Sequence, residues 1–290
     1  MPKLLEIAHE YVHLKDVEAK PVMIAMAKLI QICGNKSIED FDRKDARSFV
    51  DGYGKVKTTT IRRRLNSINA VFNWAAYELD LDRRNPFARL IIRGEGRDAA
   101  IRQSFSVSEL TNLYSRALSF GQLRLILPIL GETGCRLSEV LGATKRDVML
   151  VEDYLVLHVH ENFCRGLKTR CSERQIPIVS GYAQEAIRRL LNACSDSQYL
   201  FPRYARDGYI NNTSASATLC KFLKVKYDGK TTHCLRHSFR DRLRDADVPL
   251  EAIDQIGGWS SVGGAGARYG MGYSIDKLAK YLTRISIKAQ

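Results

Sequence analysis

The sequence has no apolar run that approaches the length of a membrane-spanning helix, which argues against a spanning segment. Its first fifteen residues, MPKLLEIAHEYVHLK, mix charge into the apolar positions and so do not read as a secretion signal. There is no CxxC pair. The cysteines, Cys33, Cys135, Cys164, Cys171, Cys194, Cys220 and Cys234, are odd in number and scattered. Neither a zinc site nor a disulfide framework is indicated, and a reducing interior, the cytoplasm, fits such usage. HExxH is missing, so the histidines do not suggest a zincin. No internal repeat or low-complexity tail interrupts the chain. Acid is also scarce: 32 Asp and Glu stand against 45 Lys and Arg.

What remains is the composition of a soluble globular protein, 45% hydrophobic and 27% charged. At 290 residues it has room for two domains. The formal charge of +13 suits a polyanionic partner, nucleic acid first among them.

The first hundred residues read as helices. Apolar residues recur at helical spacing over 3–15 and 21–33, and Asp42 can cap a helix ending at Gly52 and Gly54. The clearest helix spans 58–79, where Ile61, Leu65, Ile68, Phe72, Ala75 and Leu79 form one stripe. Lys55, Lys57, Arg62, Arg63 and Arg64 cluster at its start with no acid from 55 to 64. A phosphate backbone favours such a cluster, and a solvated basic face has the same composition. Asn85-Pro86 closes the pattern, and the charged, aperiodic stretch 93–104 reads as a linker.

Beyond it, Ser106 and Glu109 form a capping box. Residues 154–160 and 174–180 read as strands, and most of the rest reads as helix. The expected fold is therefore mainly α (α+β). A helical N-terminal domain over 1–92 is followed by a mixed domain of helices around a small antiparallel β-sheet, residues 105–273. The tail, 274–290, forms an amphipathic helix whose stripe is Ile275, Leu278, Leu282 and Ile285.

Several groups suit chemistry on an anion. In TGCRLSEVLG, residues 133–142, Arg136 and Glu139 are spaced to pair. In HCLRHSFRDRL, residues 233–243, His233 and Arg236 share a helical face, with His237 in reach of His233. Lys168 lies between the two strands. The segment GGWSSVGGAGARYGMGY, residues 257–273, sets Trp259, Tyr269 and Tyr273 among glycines. Each motif alone has an ordinary structural explanation: a surface ion pair, a capping histidine, an exposed hairpin lysine, packing aromatics.

Their order resembles the tyrosine recombinase family, also called phage integrases. TGCRLSE looks like that family's first-arginine motif, LKTR followed by RQIPI like its β-hairpin lysine, and HCLRHSF like its H-x-L-R-H box. GGWSS occupies the place of its G-H/W-S box, and ARYG carries the tyrosine. Tyr269 lies ten residues after Trp259, one more than the commonest spacing, and the glycines can absorb the difference. The first domain resembles the family's core-binding domain.

The resemblance implies a site-specific DNA recombinase that integrates or excises a mobile element through a 3′-phosphotyrosyl intermediate, with no cofactor and no metal. A type IB-like topoisomerase and a catalytically inactive DNA-binding regulator are the alternatives. It implies Tyr269 as nucleophile, Arg136 and Arg236 on the scissile phosphate, Trp259 as a phosphate donor and Lys168 as general acid. His233 serves as base or hydrogen-bond donor. Glu139 orients an arginine or His233, His237 steadies the helix, and Tyr273 packs. The implied partners are double-stranded DNA recombination sites and a homotetramer on two duplexes, aided by DNA-bending accessory proteins, with no membrane. The tail helix is expected to pack on a neighbouring subunit, and the chain to begin without the arm-binding domain of some integrases.

Overall fold

A computed structural model describes residues 2–99, 103–167, 172–193, 197–206, 208–259 and 272–288. The chain divides into two compact units, residues 1–101 and 102–290.

The first unit is helical: α1 (Leu4–Lys15), α2 (Ala19–Cys33), α3 (Arg43–Asp51) and α4 (Thr58–Glu78). The Asp42 side chain accepts from the backbone N–H groups of Lys44 and Asp45, and the Asp45 carboxylate answers the Asp42 N–H, so the start of α3 is capped from both sides. On α4 the stripe from Ile61 to Ala75 is buried. It meets an aromatic cluster in which the Phe72 ring lies 4.7 Å from Phe87 and 5.5 Å from Phe41.

Most of the expected linker belongs to this unit. Nothing within α4 caps its N-terminus. Asp98, forty residues on, does so instead, accepting from the Thr58 N–H at 2.6 Å and the Thr58 hydroxyl at 2.5 Å. A carboxylate is favourable there because the first-turn N–H groups lack intrahelical partners. Glu95 closes onto Arg62 beside it. Charge and aperiodicity mark 93–99 as irregular, and they are equally the signature of a segment tied down by side chains.

The second unit opens with α5 (Val107–Leu118), whose Ser106–Glu109 capping box forms as expected. Helix α6 (Ile126–Thr133) is buried on every side and packs against α5, α8 (Gly181–Ala193) and α10 (Thr232–Asp245). The short α7 (Leu137–Leu141) leads to an antiparallel sheet in the order β1 (Val148–Val151), β2 (Tyr154–Val159), β3 (Arg174–Pro177). Its register sets Val151 opposite Tyr154 and Val159 opposite Arg174. Strand β1 is missing from the sequence reading: VMLV is only four residues long and shows no alternation in its burial. A two-residue ribbon, β4 (Ala205–Arg206) with β5 (Tyr209–Ile210), precedes α9 (Asn212–Lys224). Helices α11 (Leu250–Gly257) and α12 (Ile275–Ile285) complete the described chain.

Within the single chain, helix α12 lies against its own unit. Leu278, Ala279, Tyr281, Leu282 and Ile285 are buried in the unit's own core, against β2, β3 and α10. The reason is a polar anchor beneath the helix end. Buried Glu132 accepts from the Ile287 N–H and the Tyr114 hydroxyl and pairs with Arg242 at 2.9 Å. Arg242 in turn donates to the Ile285 carbonyl at 2.7 Å. A stripe of apolar residues states that a face must be covered, and the anchor that covers it from within lies far away in sequence.

Candidate active site

Gly134 ends α6 in the left-handed conformation, φ +65°, where a glycine carries no steric penalty. A side chain there would also strike the Phe239 ring of α10, 2.3 Å from the position of a Cβ. This close approach brings the start of α7 next to α10. Arg136 stands as the N-cap of α7. Its guanidinium donates to Glu139 at 2.5 Å and to the Ser172 hydroxyl at 3.0 Å, while its backbone N–H also donates to Glu139.

Glu139 is buried and serves two arginines. The second is Arg174, at the start of β3, whose Nη2 donates to the carboxylate at 2.9 Å. Arg174 also donates to the carbonyls of Ser172 and Ile256 and to the Cys135 thiol. It thereby fastens the first-arginine motif, the β2–β3 hairpin and the end of α11 to one another. Burial acts to raise the Glu139 pKa. The charge and hydrogen bond of Arg174, with the bonds from Arg136, outweigh it and hold the carboxyl below its ordinary range.

Arg236, on α10, is 5% exposed. Its Nη1 donates to the Gly134 carbonyl, and among the described residues its buried Nη2 has no hydrogen-bond partner. Burial, then the positive charges of Arg136 and Arg174, push its pKa down to about 10. It remains a cation at neutral pH, in a place where positive charge already accumulates. The Trp259 ring lies against it, 4.2 Å from the guanidinium carbon to the ring centre. His233, exposed in the first turn of α10, meets His237 edge to face at 4.8 Å.

The structure therefore gathers Arg136, Glu139, Arg236 and Trp259 into one cluster. Lys168 and Tyr269 lie outside the described residues. Tyr273 is packed: its backbone exchanges hydrogen bonds with Gln255, and its ring meets Tyr281 edge to face. In the first unit Lys55, Lys57 and Arg63 are exposed. Arg62 is not a free cation. It forms a two-pronged pair with Glu95 at 2.7 and 2.6 Å and donates to the Leu90 carbonyl. Arg64 reaches the Pro21 carbonyl at 3.5 Å.

Sequence reasoning passed over three arginines. Arg174 had a signal: strand alternation sets it on the same face as buried Ile176, and a charge on that face needs a partner. Arg240 is one helical turn beyond Arg236 and shares its face. Arg165, 1% exposed, donates to the His160 and Glu139 carbonyls and pairs with Asp147 at 3.2 Å. It sits in an irregular loop that has no period to mark it.

Residues 105–271 match the model of the phage integrase family. The chain is 26% identical over 221 residues to the tyrosine recombinase XerC of Syntrophus aciditrophicus, covering 72% of this chain and 68% of that relative. It is 32% identical over 145 residues to XerA of Thermococcus kodakarensis, covering 48% of this chain and 47% of XerA. In fold it resembles the Tn1549 transposon integrase in complex with transposon right end DNA, with a TM-score of 0.72, 19% identity and coverage of 97% of this chain and 94% of that one. It also resembles a lambda integrase tetramer bound to a Holliday junction, with a TM-score of 0.68, 16% identity and coverage of 90% and 78%. The chain belongs to the phage integrase family, the tyrosine recombinases, and is an enzyme of site-specific DNA breakage and rejoining.

Proposed function

We propose that the cluster around Arg136 and Arg236 grips the scissile phosphate and that Tyr269 attacks it. The supporting observation is one of charge. Three guanidiniums, Arg136, Arg174 and Arg236, surround a single carboxylate, Glu139, and a buried N–H of Arg236 has no partner among the described residues. An anion satisfies both the surplus charge and the donor. A phosphodiester brings one negative charge, and the pentavalent transition state brings a second. The arginines therefore hold the transition state more tightly than the ground state, which is the condition for catalysis.

In this reading the Tyr269 oxygen forms a bond to phosphorus as the bond to the 5′-oxygen breaks. The phenol proton passes to a base, a role this reading gives to His233, and Lys168 gives a proton to the leaving 5′-oxygen. Trp259 offers its indole N–H to a phosphate oxygen. Glu139 holds the Arg136 and Arg174 forks in place. The 3′-phosphotyrosine keeps the energy of the phosphodiester, so a 5′-hydroxyl of another strand restores the DNA without a nucleotide cofactor.

The same reading takes two duplex recombination sites as substrate and four copies of the chain as the working assembly. The DNA-bound relatives, among them the lambda integrase tetramer on a Holliday junction, support it. Integration or excision of a mobile element in the cytoplasm is the proposed setting. No helix among the described residues is long and apolar enough to cross a membrane.

Trapping on a nicked suicide substrate tests the chemistry. Wild type and Tyr273→Phe are expected to form a covalent adduct, whereas Tyr269→Phe binds DNA without forming one. An adduct that survives Tyr269→Phe and vanishes with Tyr273→Phe overturns the assignment.

A further inference from the structure

Trp259 is held by more than Arg236. Its ring lies over Gly257, where a Cβ would stand 1.7 Å from the indole, so the plate needs a residue without a side chain beneath it. A second guanidinium, that of Arg240, lies 4.6 Å from the ring centre. Arg240 comes from the next turn of α10. Its Nη2 donates to Asp254 at 3.2 Å, and its buried Nε has no hydrogen-bond partner among the described residues. Asp254 is 5% exposed and completes the loop: its backbone carbonyl accepts the Trp259 N–H at 3.0 Å. One residue thus connects the cation beside the ring to the backbone that carries the ring.

We infer that Arg240 is a positioning residue for strand cleavage, which sets the plane of Trp259 from the Asp254 carboxylate and so aims the indole N–H. The inference rests on the proposed role of Trp259 at the phosphate. Its physical basis is the attraction of a partly desolvated cation for an indole face. The two arginines divide the work. Arg236 keeps an edge available for an anion, while the Arg240 side chain is 26% exposed and tied to the buried Asp254 carboxylate, so it is held as a strut. Trp259 follows Gly257 and Gly258, which offer its ring no side-chain support, and these contacts hold it.

A double-mutant cycle on the suicide substrate tests this, using the full chain with Arg240→Met, Trp259→Ala and both together. Arg240→Met is expected to slow adduct formation about tenfold, between the sizes of an exposed and a fully desolvated cation–π contact. In the Trp259→Ala background the same change is expected to do nothing further. In a Trp74→Phe background, Trp259 is the sole tryptophan. Its emission should become more open to acrylamide when Arg240 is replaced by Met, and Arg240→Lys should restore part of both rate and protection. Should Arg240→Met fail to fold, Arg240→Gln, which keeps a hydrogen bond to Asp254, gives the same cycle. An equal slowing by the Arg240 substitution with and without Trp259, or no slowing at all, overturns the inference. Wild-type cleavage by Trp259→Ala alone overturns instead the role of Trp259 on which it stands.

Discussion

The two units use arginine in opposite ways. In the first, Arg62 sits in a run of basic residues and is met by an acid, Glu95, that closes on it from thirty-three residues away. Its charge is neutralised at a half-exposed surface, where solvent screens what remains. In the second, Arg136, Arg174 and Arg236 come from three distant stretches and converge on one carboxylate. There screening is weaker, and burial, with the charges of Arg136 and Arg174, lowers the hold of Arg236 on its proton. A linear cluster of charge need not stay unpaired in the fold, and unbalanced charge in a buried place is what the proposed phosphate site rests on.

The largest effect expected in either unit comes from removing α12. Truncation after Tyr273 strips Leu278, Tyr281, Leu282 and Ile285 from the core and exposes Glu132. Four buried side chains at about 1.5–3 kcal/mol each match or exceed much of the 5–15 kcal/mol that keeps a domain folded. The truncated protein should lose the cooperative melt of the second unit while the first still melts. A truncated protein with both transitions intact would show that the helix is dispensable at home and free to dock elsewhere.

Next in size is Arg236→Ala, expected to slow adduct formation by about 10²–10³, the usual cost of one preorganised donor at a developing charge. Arg236→Lys should recover little, because a lysine lacks the planar fork that serves the Gly134 carbonyl and an anion together. Recovery to near the wild-type rate by lysine would reduce the site to simple charge and remove the geometric part of the comparison.

Much of this was legible beforehand. Periodicity located α4 and its stripe, the cap at Asp42 and the capping box at Ser106 marked helix starts, and the spacing of Arg136 and Glu139 marked a pair. These signals are local, lying within one or two turns. What escaped was non-local. Asp98 capping α4, Glu95 pairing with Arg62 and Glu132 anchoring the tail join residues tens to more than a hundred positions apart. Arg174 lies between. Strand alternation held a signal that it is a buried charge, which the sequence reading passed over, and only the fold shows that Glu139 is its partner.

A third prediction uses pH to compare two buried carboxylates of the second unit. Glu139 is held below its ordinary range, so its contribution to stability is complete above the ordinary carboxylate pKa of about 4.3 and is lost as pH falls through its lowered value. Glu132 is the reverse. Burial raises it despite Arg242, so it costs stability when ionised and relieves that cost on taking a proton. Melting followed from neutral pH down to the carboxylate range should therefore show a shallower acid loss for Glu139→Gln than for wild type, and a steeper one for Glu132→Gln. The same slope change in both variants would contradict the opposite environments assigned to them.

The smallest expected effect returns to the first unit, and it divides the basic cluster. An arginine already paired in cis has its counterion built into the protein, so swapping it for a phosphate releases little salt. Arg63 and Lys57 are exposed, and each phosphate they neutralise should add about 0.9 to the steepness of binding against salt. Arg63→Gln with Lys57→Gln is thus expected to flatten the slope of log affinity against log salt by nearly two if both touch phosphate. Arg62→Gln should leave the slope as it is and lower the melting temperature of the first unit slightly, since Glu95 and the Leu90 carbonyl lose their donor. Gel-shift titrations at several salt concentrations read both numbers. If Arg62→Gln flattens the slope as much as Arg63→Gln does, Glu95 releases its partner when DNA arrives, and the contrast between the paired and the convergent arginines narrows to one of burial alone.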